Sequence, residues 1–326
     1  MRPVLFSLHV AGRELALRTY GVFIALGLAL GIALAYREAR RRGLDGGRVL
    51  DLAFWLTVAG LVGSRLAYGV VNFADFGRAC ADGGDAGHRA LAEWLSDCTR
   101  IFHVWQGGLV FYGGVVGAAA VAAWFARRER WSFWAVGDVF APGLAVGHVL
   151  GRLGCFAAGC CFGKASTVPW AVAFPRASVA YEELASAGAV APGASLTPPL
   201  HPTQLYEAAG ELALFALLLR LRPRLAARPG ALLLLYAAGY ALVRFAVELF
   251  RGDFARLYVL DLPLPRLAAW LRLPAREPVL LSVGQLMSLL VLAGAAVAWW
   301  HRRRAWRVTR ATPAVPAAAP AAAPPS

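Results

Sequence analysis

The stretch His148-Val-Leu-Gly-Arg152-Leu-Gly-Cys155-Phe-Ala-Ala-Gly-Cys160-Cys161-Phe-Gly-Lys164 sets an arginine near the middle of a glycine-rich apolar segment. In a bilayer an uncompensated arginine costs from about 3 kcal/mol upward. Only a partner, water or an anionic ligand offsets that cost, so the first question is what Arg152 faces. The chain around it is 59% hydrophobic and only 16% charged, against about 25% charged in a soluble domain. Its mean hydropathy is +0.56. Together with several apolar runs, these values define an all-α polytopic membrane protein.

The net charge of +14 does not point to nucleic acid, because the arginines sit in short clusters between the apolar runs. That is the pattern of membrane orientation. Five cysteines are too few for a disulfide scaffold. The opening residues show no signal peptide, since their apolar run is short and broken by polar residues. Val4, Phe6, Leu8 and Val10 alternate, Gly12-Arg-Glu14 reads as a turn, and Leu15 and Leu17 alternate again. This predicts a small amphipathic hairpin at the membrane surface.

Seven transmembrane helices are expected near 19–37, 50–72, 107–126, 134–158, 202–221, 230–250 and 279–300. Each is long enough to cross about 30 Å of hydrocarbon. The segment 257–273 is apolar but broken by Asp261, Pro263, Pro265 and Arg266, so it reads as an interfacial loop or short amphipathic helix. Seventeen of the 33 Lys and Arg fall in four short segments: Arg37 to Arg48, Arg127 to Arg130, Arg220 to Arg228, and Arg302 to Arg310. The positive-inside rule then places the N-terminus outside and the C-terminus in the cytoplasm, as seven crossings require. Residues 1–310 form one membrane domain with extracytoplasmic loops near 73–106, 159–201 and 251–278. The Ala/Pro-rich tail 311–326 is expected to be disordered. Cys80 and Cys98 lie in the first outer loop, where a disulfide and two free thiols are both open.

With orientation set, the embedded polar groups fall at one depth. Tyr20, Arg65, Tyr68, Tyr112, His148, Arg152, Gln204, Glu207, Tyr240, Arg244 and Glu248 all lie in the outer half of the membrane, on six spans. A shared level implies a polar cavity opening toward the outer leaflet, with three arginines around it. A guanidinium binds phosphate bidentately and stays charged when desolvated, so the expected partner of Arg152 is a lipid phosphate rather than a buried carboxylate. Each group also has a structural reading. Arg244 and Glu248 stand at i, i+4 and could be a plain ion pair. His148 could be a packing residue, Arg65 could snorkel, and the glycines could serve helix packing. Cys155, Cys160 and Cys161 invite a metal, but no further Cys or His stands at suitable spacing. Neither a metal nor another cofactor is expected.

The motifs in order resemble the prolipoprotein diacylglyceryl transferase family. They include Arg18-Thr-Tyr20-Gly21, Gly63-Ser-Arg65-Leu-Ala-Tyr68, Trp105-Gln-Gly-Gly-Leu-Val-Phe-Tyr112-Gly-Gly114, and Gly151-Arg152-Leu-Gly154. Further on come His201-Pro-Thr-Gln204-Leu-Tyr206-Glu207, the Tyr240, Arg244, Glu248 series, and Ser282-Val-Gly-Gln285. The resemblance implies a bacterial inner-membrane enzyme with its site toward the outer leaflet. It would move diacylglyceryl from phosphatidylglycerol to the lipobox cysteine thiol of a prolipoprotein signal peptide, releasing glycerol phosphate. Its partners would be those substrates and membrane lipid, with no nucleic acid.

On that resemblance Arg152, Arg244, Glu248, His148 and Tyr112 are expected at the chemistry. Arg152, Arg244, Tyr20, Tyr240, Arg65, His201 and Glu207 are expected to bind the lipid. The chain departs from the family pattern at Tyr112, where a histidine proposed as the base usually stands. It departs again at Cys155 and Cys160, in place of an asparagine and a glutamate. His148, one helical turn from Arg152, is a candidate replacement base; alternatively no side chain acts as base and the arginine-rich field alone favours the thiolate. The alternatives are a related transferase with another acceptor and a non-catalytic phospholipid-binding or transport protein, although no internal repeat is visible.

Overall fold

The N-terminal alternation folds as strand β1 (Val4–Val10) paired antiparallel with β2 (Arg13–Arg18), with Val10 opposite Arg13 and His9 opposite Glu14. The computed structural model describes residues 4–10, 13–73, 99, 110–254, 257–274 and 278–311. Cys80, Cys98 and the tail from residue 312 lie outside the described residues. The expected spans correspond to α1 (Thr19–Arg41), α2 (Gly46–Val71), α3 (Phe111–Arg128), α4 (Phe133–Ala158), α6 (Thr203–Leu225), α7 (Ala231–Glu248) and α9 (Val283–Ala311).

Among the described residues, α1, α2, α4, α7 and the Val283–Arg307 portion of α9 are long and apolar enough to cross a membrane. The chain is thus an all-α polytopic membrane protein. Helix α3 has 18 described residues and closes on Arg127 and Arg128. Helix α6 carries Glu207, Glu211, Arg220, Arg222 and Arg224. These charges lower the apolar character of both helices.

The chain divides into two compact units, one of Gly21–Gly151 and one of Met1–Tyr20 with Arg152–Ser326. In the first, α2 packs on α3 through glycines. A Cβ at Gly63 would run into the carbonyl oxygen of Gly113, and one at Gly113 would run into that of Gly63. Such small faces let helix backbones approach where lipid gives no hydrophobic drive. Gly31 and Gly143 make the same kind of approach between α1 and α4. At the other end of these helices Arg42 bridges Glu38 at 2.9 Å and the fully buried Asp138 at 3.3 Å. Asp45 caps α2 by accepting from the Gly47 N–H at 2.8 Å.

In the second unit α7 packs between α6 and α9. The expected outer loop 159–201 is an ordered layer. Its helix α5 (Val179–Ser186) is capped by Ser178, and its core joins Phe162, Phe174, Ala180, Leu184 and Leu200. The segment 257–273 holds the expected short helix but also a strand that was not expected. It forms strand β3 (Tyr258–Pro263) and short helix α8 (Pro265–Trp270), and β3 pairs with β4 (Pro278–Ser282). The prolines that looked like breakers stand where they cost least. Pro263 ends its strand, and Pro265 opens α8, where its missing N–H is no loss.

Two glycines one turn apart on α2 test the helix contact. Gly60 has open space where a Cβ would go, whereas Gly63 meets backbone that cannot move aside. Gly63→Ala should lower stability by about 1–3 kcal/mol through overpacking. Gly60→Ala should leave it unchanged or raise it by up to about 1 kcal/mol through helix propensity. Thermal unfolding of the detergent-purified variants reads both.

Candidate functional site

Four charges make a chain within the second unit. Arg152, near the end of α4, bonds Glu207 Oε1 at 2.8 Å. The other oxygen of Glu207 lies 3.7 Å from Arg244 on α7, and Arg244 meets Glu248 at 2.8 Å. The carboxylate side chains are about 3% exposed, and the two arginines 20% and 17%. The sequence expectation for Arg152 is therefore corrected: a buried carboxylate is its partner. Glu207, one turn into α6, sits between two guanidiniums, and this alternation makes burial tolerable. Each guanidinium has five N–H donors, so both retain donors beyond these pairs.

The far end of the chain is fixed by a helix start. Ser282 and Gln285 form a capping box on α9. Gln285 N–H donates to Ser282 Oγ, and Ser282 N–H donates to Gln285 Oε1, both at 3.2 Å. The Ser282 hydroxyl in turn donates to Glu248 Oε1 at 3.0 Å. A Cβ at Gly284 would lie 2.8 Å from the Glu248 carboxyl carbon, so only glycine admits that carboxylate to the helix start. The motif Ser282-Val-Gly-Gln285 was visible in the sequence, but its link to Glu248 was not.

Arg152 is held where α4 stops. Gly159, at φ +75°, closes the helix, with Gly159 N–H donating to Phe156 O and Cys160 N–H to Cys155 O. The turn that follows is tied to α6. Gln204 Nε2 donates to Cys160 O at 2.7 Å, and Thr203 Oγ1 to Cys161 O at 2.8 Å. Gly163 passes so close to His201 that a Cβ there would stand 2.5 Å from the His201 carbonyl oxygen.

His201 itself belongs to a neighbouring cluster. It is 2% exposed, and its Nδ1 lies 2.9 Å from the Tyr206 hydroxyl, which also accepts from Trp170 Nε1 at 2.6 Å. Burial holds the imidazole below its ordinary pKa, so the ring is neutral at physiological pH. These side chains line a cavity of about 840 Å³ together with Val243, Phe250 and Trp270. The cavity, largely apolar in its lining, was not foreseen from the sequence, because its walls come from four separate segments. Tyr240 stacks near Tyr236, their ring centres 6.2 Å apart, and Tyr20 is exposed.

Arg65, Tyr112 and His148 belong to the other unit. Arg65 is buried rather than snorkelling, and its guanidinium lies 5.1 Å from the Tyr68 ring centre. Tyr112 is exposed in the first turn of α3. His148 precedes Arg152 by one turn of α4.

The two arginines, each paired with a buried carboxylate, thus lie within a multi-pass membrane protein. The family model of prolipoprotein diacylglyceryl transferase matches residues 3–301, and the chain belongs to that family. It is 33% identical over 241 residues to the phosphatidylglycerol–prolipoprotein diacylglyceryl transferase of Thermosynechococcus vestitus, covering 73% of this chain and 79% of the relative. The enzymes of that name from Ruegeria pomeroyi and Pseudomonas putida strain F1 are 34% and 31% identical. They align with 90% and 93% of this chain, and with 92% and 96% of their own lengths.

The central carboxylate gives a direct test. Glu207→Ala leaves two guanidiniums buried without their shared partner and should cost about 3–5 kcal/mol. Glu207→Gln retains an acceptor oxygen and should cost less. Thermal unfolding in detergent, without substrate, separates the two.

Proposed function

We propose that this chain transfers the diacylglyceryl group of phosphatidylglycerol to the cysteine thiol of a prolipoprotein. The product is a thioether and glycerol phosphate leaves. The reading rests above all on the buried Arg152–Glu207–Arg244–Glu248 chain, alongside the family to which the chain belongs. We further infer seven crossings, with α3 and α6 among them, in a bacterial inner membrane. The N-terminus is outside, the C-terminus is cytoplasmic, and the site opens to the outer leaflet. The arginines at the ends of α1, α3, α6 and α9 support this orientation. So does the polarity of the second unit: Glu207 and Ser282 stand near the starts of α6 and α9, while Arg302 and Trp306 bond the Pro229 carbonyl far along α9.

In the proposed reaction a thiolate sulfur attacks the glyceryl carbon bonded to the phosphate oxygen. The S–C bond forms as the C–O bond breaks, and the thiolate's charge passes to the departing phosphate. Arg152 and Arg244 are the groups that meet that growing charge, by hydrogen bonds aimed in advance in a poorly solvated site. Glu207 and Glu248 are positioning residues that hold the guanidiniums. Tyr20 and Tyr240 hold headgroup oxygens, and the cavity beside His201 accommodates an acyl chain. The candidate base is His148, one turn before Arg152 on α4; alternatively the arginines alone favour the thiolate.

Purified protein, phosphatidylglycerol and a lipobox peptide should yield a diacylglyceryl thioether, detected by mass. Arg152→Ala and Arg244→Ala should each lower the rate by at least about 100-fold. Lysine at either position should rescue little, since it lacks the planar fork. An active Arg152→Ala enzyme would overturn the assignment. If His148 is the base, His148→Ala should cost about 100-fold or more; an unchanged rate would remove it from the mechanism.

A further inference from the structure

The end of α4 brings together the three thiols whose metal reading was set aside for want of a fourth ligand in the sequence. When a helix closes on a left-handed glycine, the residue after that glycine folds back over the residue five before it. Here those two residues are Cys160 and Cys155, flanking the turn at Gly159. Cys161 then adopts φ +56°, an uncommon conformation for a residue with a side chain. The result is a cluster in which the sulfurs of Cys155, Cys160 and Cys161 all lie within 4.8 Å of one another.

We propose that Cys155, Cys160 and Cys161 form a three-thiolate site for a zinc-class divalent ion, whose fourth position takes the acceptor cysteine thiol. The second half of this proposal rests on the transferase reading. Tetrahedral zinc holds its thiolates at about 2.3 Å, which sets sulfurs about 3.8 Å apart. The cluster therefore needs to contract by no more than about 1 Å to match. Its backbone is already braced, because the Cys160 and Cys161 carbonyls are held by Gln204 and Thr203. Three thiolates around a dication leave one negative charge. Arg152 and Arg251, each already paired with a carboxylate (Glu207 and Asp253), both act on Cys161 electrostatically and offset part of it. Tyr20 is within electrostatic range of all three cysteines and of Arg152, so the cluster adjoins the charged chain. Cys160 and Cys161 are partly accessible, which leaves a side for a fourth ligand.

The chemistry suits the reaction. A free thiol of pKa about 8.5 is mostly protonated at neutral pH, whereas a thiol bound to a metal is deprotonated outright. On coordination the acceptor thiol loses its proton to solvent. Its metal-bound sulfur then attacks the glyceryl carbon, the C–O bond to phosphate breaks, and the neutral thioether is a poorer ligand that leaves. No electron transfer is involved.

Cobalt(II) reports such sites by absorption. The full-length protein, purified in detergent, is reduced with a phosphine, stripped with a chelator and titrated with cobalt(II) without lipid. One equivalent should bind with thiolate-to-metal charge-transfer absorption. Cys155→Ser, Cys160→Ser and Cys161→Ser should each lose that absorption, with thermal unfolding used to check that the variants fold. A lipobox peptide should then shift the cobalt ligand-field bands, and the same peptide with serine for cysteine should not. Absence of stoichiometric cobalt in wild type would overturn the site. So would its persistence in all three variants, or a disulfide between two of these cysteines in protein alkylated within intact membranes. Binding with no response to the cysteine peptide would overturn the acceptor role. The transferase assay, run on the same preparation, fails or succeeds separately. Cobalt binding without thioether formation counts against the transferase reading alone, and thioether formation by metal-free enzyme counts against the metal alone.

Discussion

Glu207 is the constraint on which the second unit depends. One carboxylate, about 3% exposed, faces two guanidiniums delivered by α4 and α7. Removing charges from water costs several kcal/mol per ion, and even good pairing seldom does more than break even. The arrangement is therefore poor evidence of stabilisation and better evidence of placement. An apolar contact of equal volume would hold α4, α6 and α7 together as well. It could not hold two guanidiniums on one carboxylate.

The helix ends complete that placement. Glu248 is the last residue of α7, where the helix dipole is negative and a carboxylate is disfavoured. Three neighbours offset this: Arg244 one turn back, the Ser282 hydroxyl, and the positive start of α9 packed against it across Gly284. The capping box thus serves two purposes. It satisfies the first N–H groups of α9 and keeps the Ser282 hydroxyl aimed at Glu248. The short β3–β4 pairing contributes by ending at Ser282, so the strand register sets where the helix begins.

Much of this was legible in the sequence, and the exceptions share a cause. The N-terminal hairpin, the helices and the Arg244–Glu248 pair follow from local periodicity, which needs no knowledge of neighbours. The partner of Arg152 did not, because Glu207 is 55 positions away and counts of depth locate residues by level rather than by contact. The β3–β4 ladder was missed because Pro263 and Pro265 mark ends as readily as breaks. The cysteine cluster was set aside on linear spacing, although Gly159 directly before Cys160 carries the geometric clue: a left-handed helix stop there folds position 160 onto 155.

A near-neutral charge chain also suits turnover better than two bare arginines would. Unpaired guanidiniums in a dry cavity would hold phosphatidylglycerol tightly and hold the more highly charged glycerol phosphate more tightly still. Binding energy expressed equally in ground and transition states does not speed the chemical step. With Glu207 and Glu248 already neutralising Arg152 and Arg244, the resting attraction for a monoanionic phosphodiester is moderate. In the proposed mechanism the remaining donors of Arg152 and Arg244 would meet the extra charge that develops on the departing oxygen. On the proposed mechanism the carboxylates would thereby separate two demands that arginine alone would confuse: recognising a phosphate, and releasing it once its charge has grown.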